Sequence, residues 1–249
     1  MTLLIFIRPV LIRPIQFDEV IKMANERQEE QKQQSEQLVH RLIKAIDEEP
    51  NKFNNYYDLG SLLTRLNDYV QAEELFQKAL GIFEQRGDER AINFLQYGLG
   101  NLYYTVGKID EAIKLYNKID DDKLKADAYL MLAQSYMKKK QYKQAVAYGL
   151  TAYDLSADDP EINQALGDSM LALGEFTKAK QYYDQILLHH PGRADTQFNR
   201  GLVAMALDEP FEKYFDQAQQ LDLDYYQKSK QKIVDIQRTL QKINKPQSK

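Results

Sequence analysis

The sequence predicts an all-α protein, a solenoid of antiparallel helix pairs, and three recurrences carry that prediction. The first is a bulky residue followed by a small one inside helix-period apolar patterns: Leu59-Gly60, Leu99-Gly100, Leu132-Ala133, Leu166-Gly167 and, with Arg in the bulky place, Arg200-Gly201. Successive pairs stand 40, 33, 34 and 34 residues apart. The second is a set of fixed offsets from the first four small residues. Twelve residues on come Ala72, Ala112, Ala145 and Ala179; sixteen on come Phe76, Tyr116, Gly149 and Tyr183; nineteen on come Ala79, Ile119, Ala152 and Ile186. The third is a bulky residue three places on (Leu63, Tyr103, Tyr136, Met170), followed by a turn residue at Asn67, Gly107 or Gly174, with Lys140 the exception. A small residue in mid-helix lets a second helix approach closely, and a Gly or Asn at the junction leaves the helical conformation at low cost. Each unit is then a helix pair that buries its apolar face only by stacking on its neighbours.

Taken in order, residues 1–22 open with MTLLIFIRPVLIRPIQ. Arg8-Pro9 and Arg13-Pro14 cut this stretch into pieces far shorter than the roughly 20 apolar residues of a membrane span. It also lacks the leading charge, unbroken apolar run and small terminal residues of a secretory signal. Met23 begins the more ordinary soluble stretch MANERQEEQKQQ, so residues 1–22 are expected to be a poorly ordered extension or an over-long reading frame. Residues 23–52 are expected to form an N-terminal helix or half repeat, with Ala45 and Pro50 in second-helix places. Residues 53–220 supply about five helix pairs. The aromatic expected four places before the small residue is present as Tyr56 and Tyr129 but replaced by Gln96, Asn163 and Gln197. Gly149 is expected to leave its pair underfilled. The last unit is shortened and Pro210 opens its second helix, so Phe215 and Ala218 come early. Residues 221–249 read as a capping helix and basic tail, with Leu223, Tyr226, Ile233, Ile236, Leu240 and Ile243 on one side of a helix over 222–243. Lys228, Lys230, Lys232, Arg238, Lys242, Lys245 and Lys249 there face only Asp224 and Asp235.

This Leu-Gly, Tyr, Ala, Phe, Ala and terminal Pro pattern resembles the tetratricopeptide repeat, over about residues 53–220. The resemblance implies a right-handed superhelix whose first helices line a concave groove that binds segments of other proteins. The extended stretch ALGIFEQRGDERAINF resembles the longer repeats of bacterial peptide-sensing regulators and of some scaffold proteins.

Composition removes several chemistries. With no Cys, disulfide scaffolds, zinc fingers, iron–sulfur ligation and cysteine nucleophiles are excluded. A net charge of −4 argues against general nucleic-acid binding. His40, His189 and His190 are the only histidines, and no phosphate loop, nucleophile elbow or metal-binding helix motif accompanies them. The expectation is a cytoplasmic protein that is not an enzyme and takes no cofactor or metal. Asp120-Asp121-Asp122 lacks the alternating ligands of a calcium loop and reads as a helix stop with an N-cap at Asp122. Lys138-Lys139-Lys140 reads as a solvated helix end.

The candidate binding residues are those of the first helices that lie off the inter-helix seam: Tyr57, Asp58, Phe94, Tyr97, Asn101, Tyr104, Asp127, Met131, Gln134, Glu161, Asp168, Asp195, Phe198 and Asn199. Rings and a thioether anchor a partner without demanding one shape, and amides can pair with a ligand backbone. The charges among them are acidic. The Lys, Asn and Arg clamp by which some tetratricopeptide domains hold a chaperone's terminal carboxylate is absent, since Tyr57, Ser61, Gly98, Asp127 and Met131 occupy the matching places. The expected ligand is therefore a neutral or basic peptide segment of a partner protein. The alternative is a regulatory sensor that closes around a short signalling peptide.

Overall fold

The computed structural model of the chain describes residues 17–243, among which there are helices and no strand. They are α1 (Phe17–Glu48), α2 (Phe53–Arg65), α3 (Tyr69–Arg86), α4 (Glu89–Thr105), α5 (Ile109–Tyr116), α6 (Lys125–Lys138), α7 (Tyr142–Leu155), α8 (Pro160–Leu173), α9 (Phe176–His189), α10 (Ala194–Ala206), α11 (Glu212–Leu221), α12 (Leu223–Ser229) and α13 (Gln231–Ile243). α2 to α11 form five antiparallel pairs, each packed on the next, with α1 against α2 at one end and α12 and α13 against α10 at the other. This is the all-α repeat solenoid that the sequence predicts.

The turn within every pair is built alike. Asn67, Gly107, Lys140, Gly174 and Asp208, each seven places after the small residue, have φ between 57° and 81°. The next N–H (Asp68, Lys108, Gln141, Glu175, Glu209) then donates to the carbonyl of Leu63, Tyr103, Tyr136, Met170 or Ala204 at 2.8–2.9 Å, which closes the helix end. Lys140 is thus an exception in residue type but not in conformation. Helix starts are capped by Asp68, Asp88, Asp159 and Asp222, whose carboxylates accept from N–H groups two or three residues on.

The small residue is where the ring of the second helix rests on bare backbone. A Cβ added at Gly100 would lie 2.7 Å from Tyr116, at Gly167 2.5 Å from Tyr183 and at Gly201 2.8 Å from Phe215. At Gly149, where the ring itself is missing, the pair is not underfilled as expected. An added Cβ would meet Leu166 Cδ2 at 2.8 Å, because α8 of the next repeat fills the space beside Ala133.

Two of the three replacements, Asn163 and Gln197, keep a task of the aromatic. Tyr56 Oη donates to the carbonyl of Pro50 at 3.2 Å, Asn163 Nδ2 to Ala157 at 2.7 Å and Gln197 Nε2 to Pro191 at 3.0 Å. In each case the side chain ties the first helix to the turn six residues earlier. The 40-residue spacing reflects longer helices: α3 has 18 residues and α4 has 17, against 13 or 14 in α2 and α6 to α10.

Four expectations are corrected. Asp122 does not cap α6, which follows Leu124; Asp121 instead accepts from the N–H of Lys123, and Asp120 and Asp122 pair with Lys125. Lys138 and Lys139 are not simply solvated, for the Lys138 ammonium lies 3.7 Å from the centroid of Tyr104 and Lys139 pairs with Asp110, both in the preceding repeat. The C-terminal segment is two helices interrupted at Lys230, with Leu223 exposed. α1 begins at Phe17, inside the segment expected as an extension. The remainder of that segment, residues 1–16, and the basic residues Lys245 and Lys249 lie outside the described residues, as do the side chains of Leu240 and Ile243. No described helix is long and apolar enough to cross a membrane.

Candidate functional site

The fourteen candidate residues lie on α2, α4, α6, α8 and α10, the first helices of the five pairs. The structure divides them into an open half and a covered half.

The open half spans α2, α4 and α6. Tyr57 packs edge-on against Phe94 at 6.0 Å, and Phe94 meets Phe53 at 5.2 Å with the Arg90 guanidinium 5.7 Å from its centroid. Tyr97, seven residues before Tyr104 and four before Asn101, shares one face of α4 with both. Its ring lies 6.0 Å from that of Tyr116, and Tyr97, Tyr104 and Met131 join the same apolar cluster. Tyr57, Phe94, Tyr97, Asn101, Tyr104, Met131 and Gln134 are half-buried: neighbouring repeats cover part of each side chain and leave part accessible. Burial raises the hydroxyls of Tyr57, Tyr97 and Tyr104 above the ordinary tyrosine range, so they remain neutral donors at physiological pH. Asp58 and Asp127 are exposed beside them, and among the described residues neither forms an ion pair. Neighbouring groups still remove some water from the Asp127 carboxyl, and this loss of hydration, then the charge of Asp159, raises it above the ordinary carboxylate range. A 350 Å³ cavity continues this surface between α2 and α1, lined by Leu38, Leu42, Tyr57, Asp58, Ser61, Leu62 and Arg65.

The covered half spans α8 and α10, and here the prediction of an open acidic groove fails. Phe198 is fully buried, because the rings of Phe215, Tyr225 and Tyr226 close on it at 5.3–6.0 Å. Asn199 is buried too, its Nδ2 donating to Asp168 Oδ1 at 2.8 Å. The same oxygen accepts from Tyr183 Oη at 2.7 Å and Gln164 Nε2 at 2.8 Å. Burial raises the Asp168 carboxyl against these hydrogen bonds and against the charge of Lys232 on α13. Glu161 and Asp195 are not free acids either, since Arg193 bridges them: its Nη2 lies 2.9 Å from Asp195, and its Nη1 also binds Glu161. Arg193 stands one place before α10, and the sequence reading missed it. Its signal was present, a lone base next to Asp195.

One rule emerges that the offsets contain but the reading did not use. Where the second helix carries Tyr, the residue after the small one is an acceptor: Tyr116 Oη donates to Asn101 at 2.9 Å as Tyr183 does to Asp168. Where it carries Phe, at Phe76 and Phe215, that residue is Ser61 or Leu202. Asn101 and Asp168 therefore have structural partners before any ligand arrives.

Among the described residues no group of three or more His, Asp or Glu side chains is placed to hold a metal ion. His189 ends α9 and His190 follows as its C-cap.

Three models of the tetratricopeptide repeat match residues 51–119, 97–160 and 136–198, which together run through more than half of the chain. The chain belongs to the tetratricopeptide repeat family. Among solved structures, the Pseudomonas aeruginosa protein PilF has a TM-score of 0.66 at 20% identity, covering 81% of this chain and 91% of that one. YrrB, described as a tetratricopeptide repeat protein with an unusual peptide-binding site, has a TM-score of 0.55 at 23% identity, covering 76% and 97%. These likenesses show the tetratricopeptide fold. Response regulator aspartate phosphatase J of Bacillus subtilis (strain 168) is 33% identical over 63 residues, which are 25% of this chain and 17% of that protein.

Proposed function

We propose that the chain is a non-catalytic scaffold that binds a neutral or basic peptide segment of a partner protein along α2, α4 and α6. The tetratricopeptide array supports a protein-interaction role, and one observation carries the location. Half-buried rings on two successive first helices meet a thioether on the third, and Asp58 and Asp127 beside them have no countercharge within ion-pair distance among the described residues. Such rings are rigid anchors that lose little conformational freedom on binding, and unpaired carboxylates favour a cationic ligand and repel an acidic one. A cytoplasmic setting belongs to the same proposal, for which the cysteine-free composition is suitable.

Affinity capture from native lysate, followed by calorimetric titration of the captured partner's segment, tests the reading. Asp127→Lys and Tyr104→Ala are expected to weaken binding about tenfold or more. Unchanged affinity in both variants contradicts a groove site.

The second reading, a sensor that closes around a short signalling peptide, draws support from the local similarity to a response regulator phosphatase and from the lengthened α3 and α4. Hydrogen exchange separates the two. A scaffold gains protection along α2, α4 and α6 when its partner segment is added, whereas a sensor tightens from α1 to α11.

A further inference from the structure

The covered half of the groove shows what kind of segment this concave face accepts. Tyr57, Tyr97 and Phe198 stand in the same register, three places before Gly60, Gly100 and Gly201. On Phe198 that place is filled by α12, through Tyr225 and Tyr226, and α13 adds Ile233 and Ile236 to the same apolar cluster. α13 also brings the charge of Lys232 to Asp168. Tyr57 meets Phe94 of α4 edge-on much as Phe198 meets Tyr225 of α12, but at Tyr57 and Tyr97 no described element takes the part of α13: both rings keep accessible surface, and the carboxylates of Asp58 and Asp127 beside them have no ion pair among the described residues.

We propose that the open half accepts a basic amphipathic helix from a partner protein, of the same chemistry as the chain's own α12–α13. This rests on the groove reading above and narrows it in two ways. The ligand is helical, with aromatic or aliphatic anchors on one face, because the continuous surface next to it is occupied by such a helix. It is basic rather than neutral, because Asp58 and Asp127 of the open half form no ion pair among the described residues, whereas in the covered half Arg193 bridges Glu161 and Asp195. Helix-in-groove binding needs this combination of spaced apolar anchors and charge complementarity at the rim.

The test uses the full chain and three labelled synthetic peptides: residues 222–243, the same sequence with every Lys and Arg changed to Glu, and the same sequence with Ile233→Pro. Anisotropy titration should show saturable binding of the first peptide, accompanied by a gain of helical circular dichroism. The charge-reversed and proline peptides should bind about tenfold more weakly or worse, and Asp58→Lys with Asp127→Lys in the protein should weaken the first peptide equally. The two substituted residues are exposed, so the variant is expected to fold. Equal binding of the charge-reversed peptide overturns the proposal, as does binding indifferent to the double substitution, which would mean exchange with the chain's own cap. Absence of binding by the first peptide overturns it too. A library of short extended peptides then locates the fault. Binders that lose affinity in the double variant leave the groove reading standing and remove only the helical ligand, whereas binders indifferent to it remove both.

Discussion

Lys140 shows how far the turn geometry overrides residue type. Its φ of 57° places a Cβ-bearing residue in the left-handed region, at a cost of about 1–2 kcal/mol relative to glycine, because the N–H of Gln141 must reach the carbonyl of Tyr136. Part of that cost is offset by the greater freedom of glycine in the unfolded chain. Lys140→Gly is therefore expected to stabilise the protein by about 0.5–1 kcal/mol, read from the midpoint of urea unfolding; a lower midpoint would contradict the strain assigned to this turn. Asp168 offers a second residue-scale test. Burial raises its carboxyl in the folded state, so the ionised form costs stability as pH rises through that raised value and the contribution is fully present below the unfolded carboxylate range. As pH falls from 7 toward 4, wild-type stability should increase relative to Asp168→Asn, measured as the difference in melting temperature. A difference that stays constant or shrinks on acidification contradicts a net burial effect.

At the scale of the element, the pair α6–α7 tests whether repeats are filled by consensus or by neighbours. Leu166 occupies the space next to Gly149 that a ring takes in other repeats. Gly149→Tyr, which restores the usual aromatic, should destabilise the protein by about 1–3 kcal/mol through overpacking. Stabilisation would show that the pair was underfilled after all. The same pair explains the limits of reading by offset. The helix pairs, their turns and the small-residue contacts were legible because each depends on residues less than 20 places apart in one unit. The role of Leu166 was not, since it comes from the following helix. Gln96, Asn163 and Gln197 depart in sequence from the aromatic, yet Asn163 and Gln197 replace the anchoring hydrogen bond of Tyr56 rather than its ring. The interruption at Lys230 carries no Gly or Pro signal. It follows from tertiary packing, with α12 held on Phe198 while α13 turns onto α10.

At the scale of the whole molecule, the groove is not one surface. The sequence placed fourteen residues on the first helices, and the structure puts all of them there. Whether a concave residue is accessible, however, depends on what the ends of the chain do. The cap was expected to cover the end of the solenoid, and it also covers Phe198 and sets Lys232 near Asp168. Among the described residues, Glu161 and Asp195 of the last two repeats are paired with Arg193, whereas Asp58 and Asp127 form no ion pair. The proposed binding surface accordingly lies in the first three repeats. The most direct measurement is site-specific photo-crosslinking in the native host, with the crosslinker at half-buried Gln134 on α6 or at exposed Glu74 on the second helix α3. A partner crosslinked from Gln134, abolished by Asp58→Lys with Asp127→Lys and absent from Glu74, is the predicted result; a partner captured from Glu74 but not from Gln134 would contradict the groove as the site of binding.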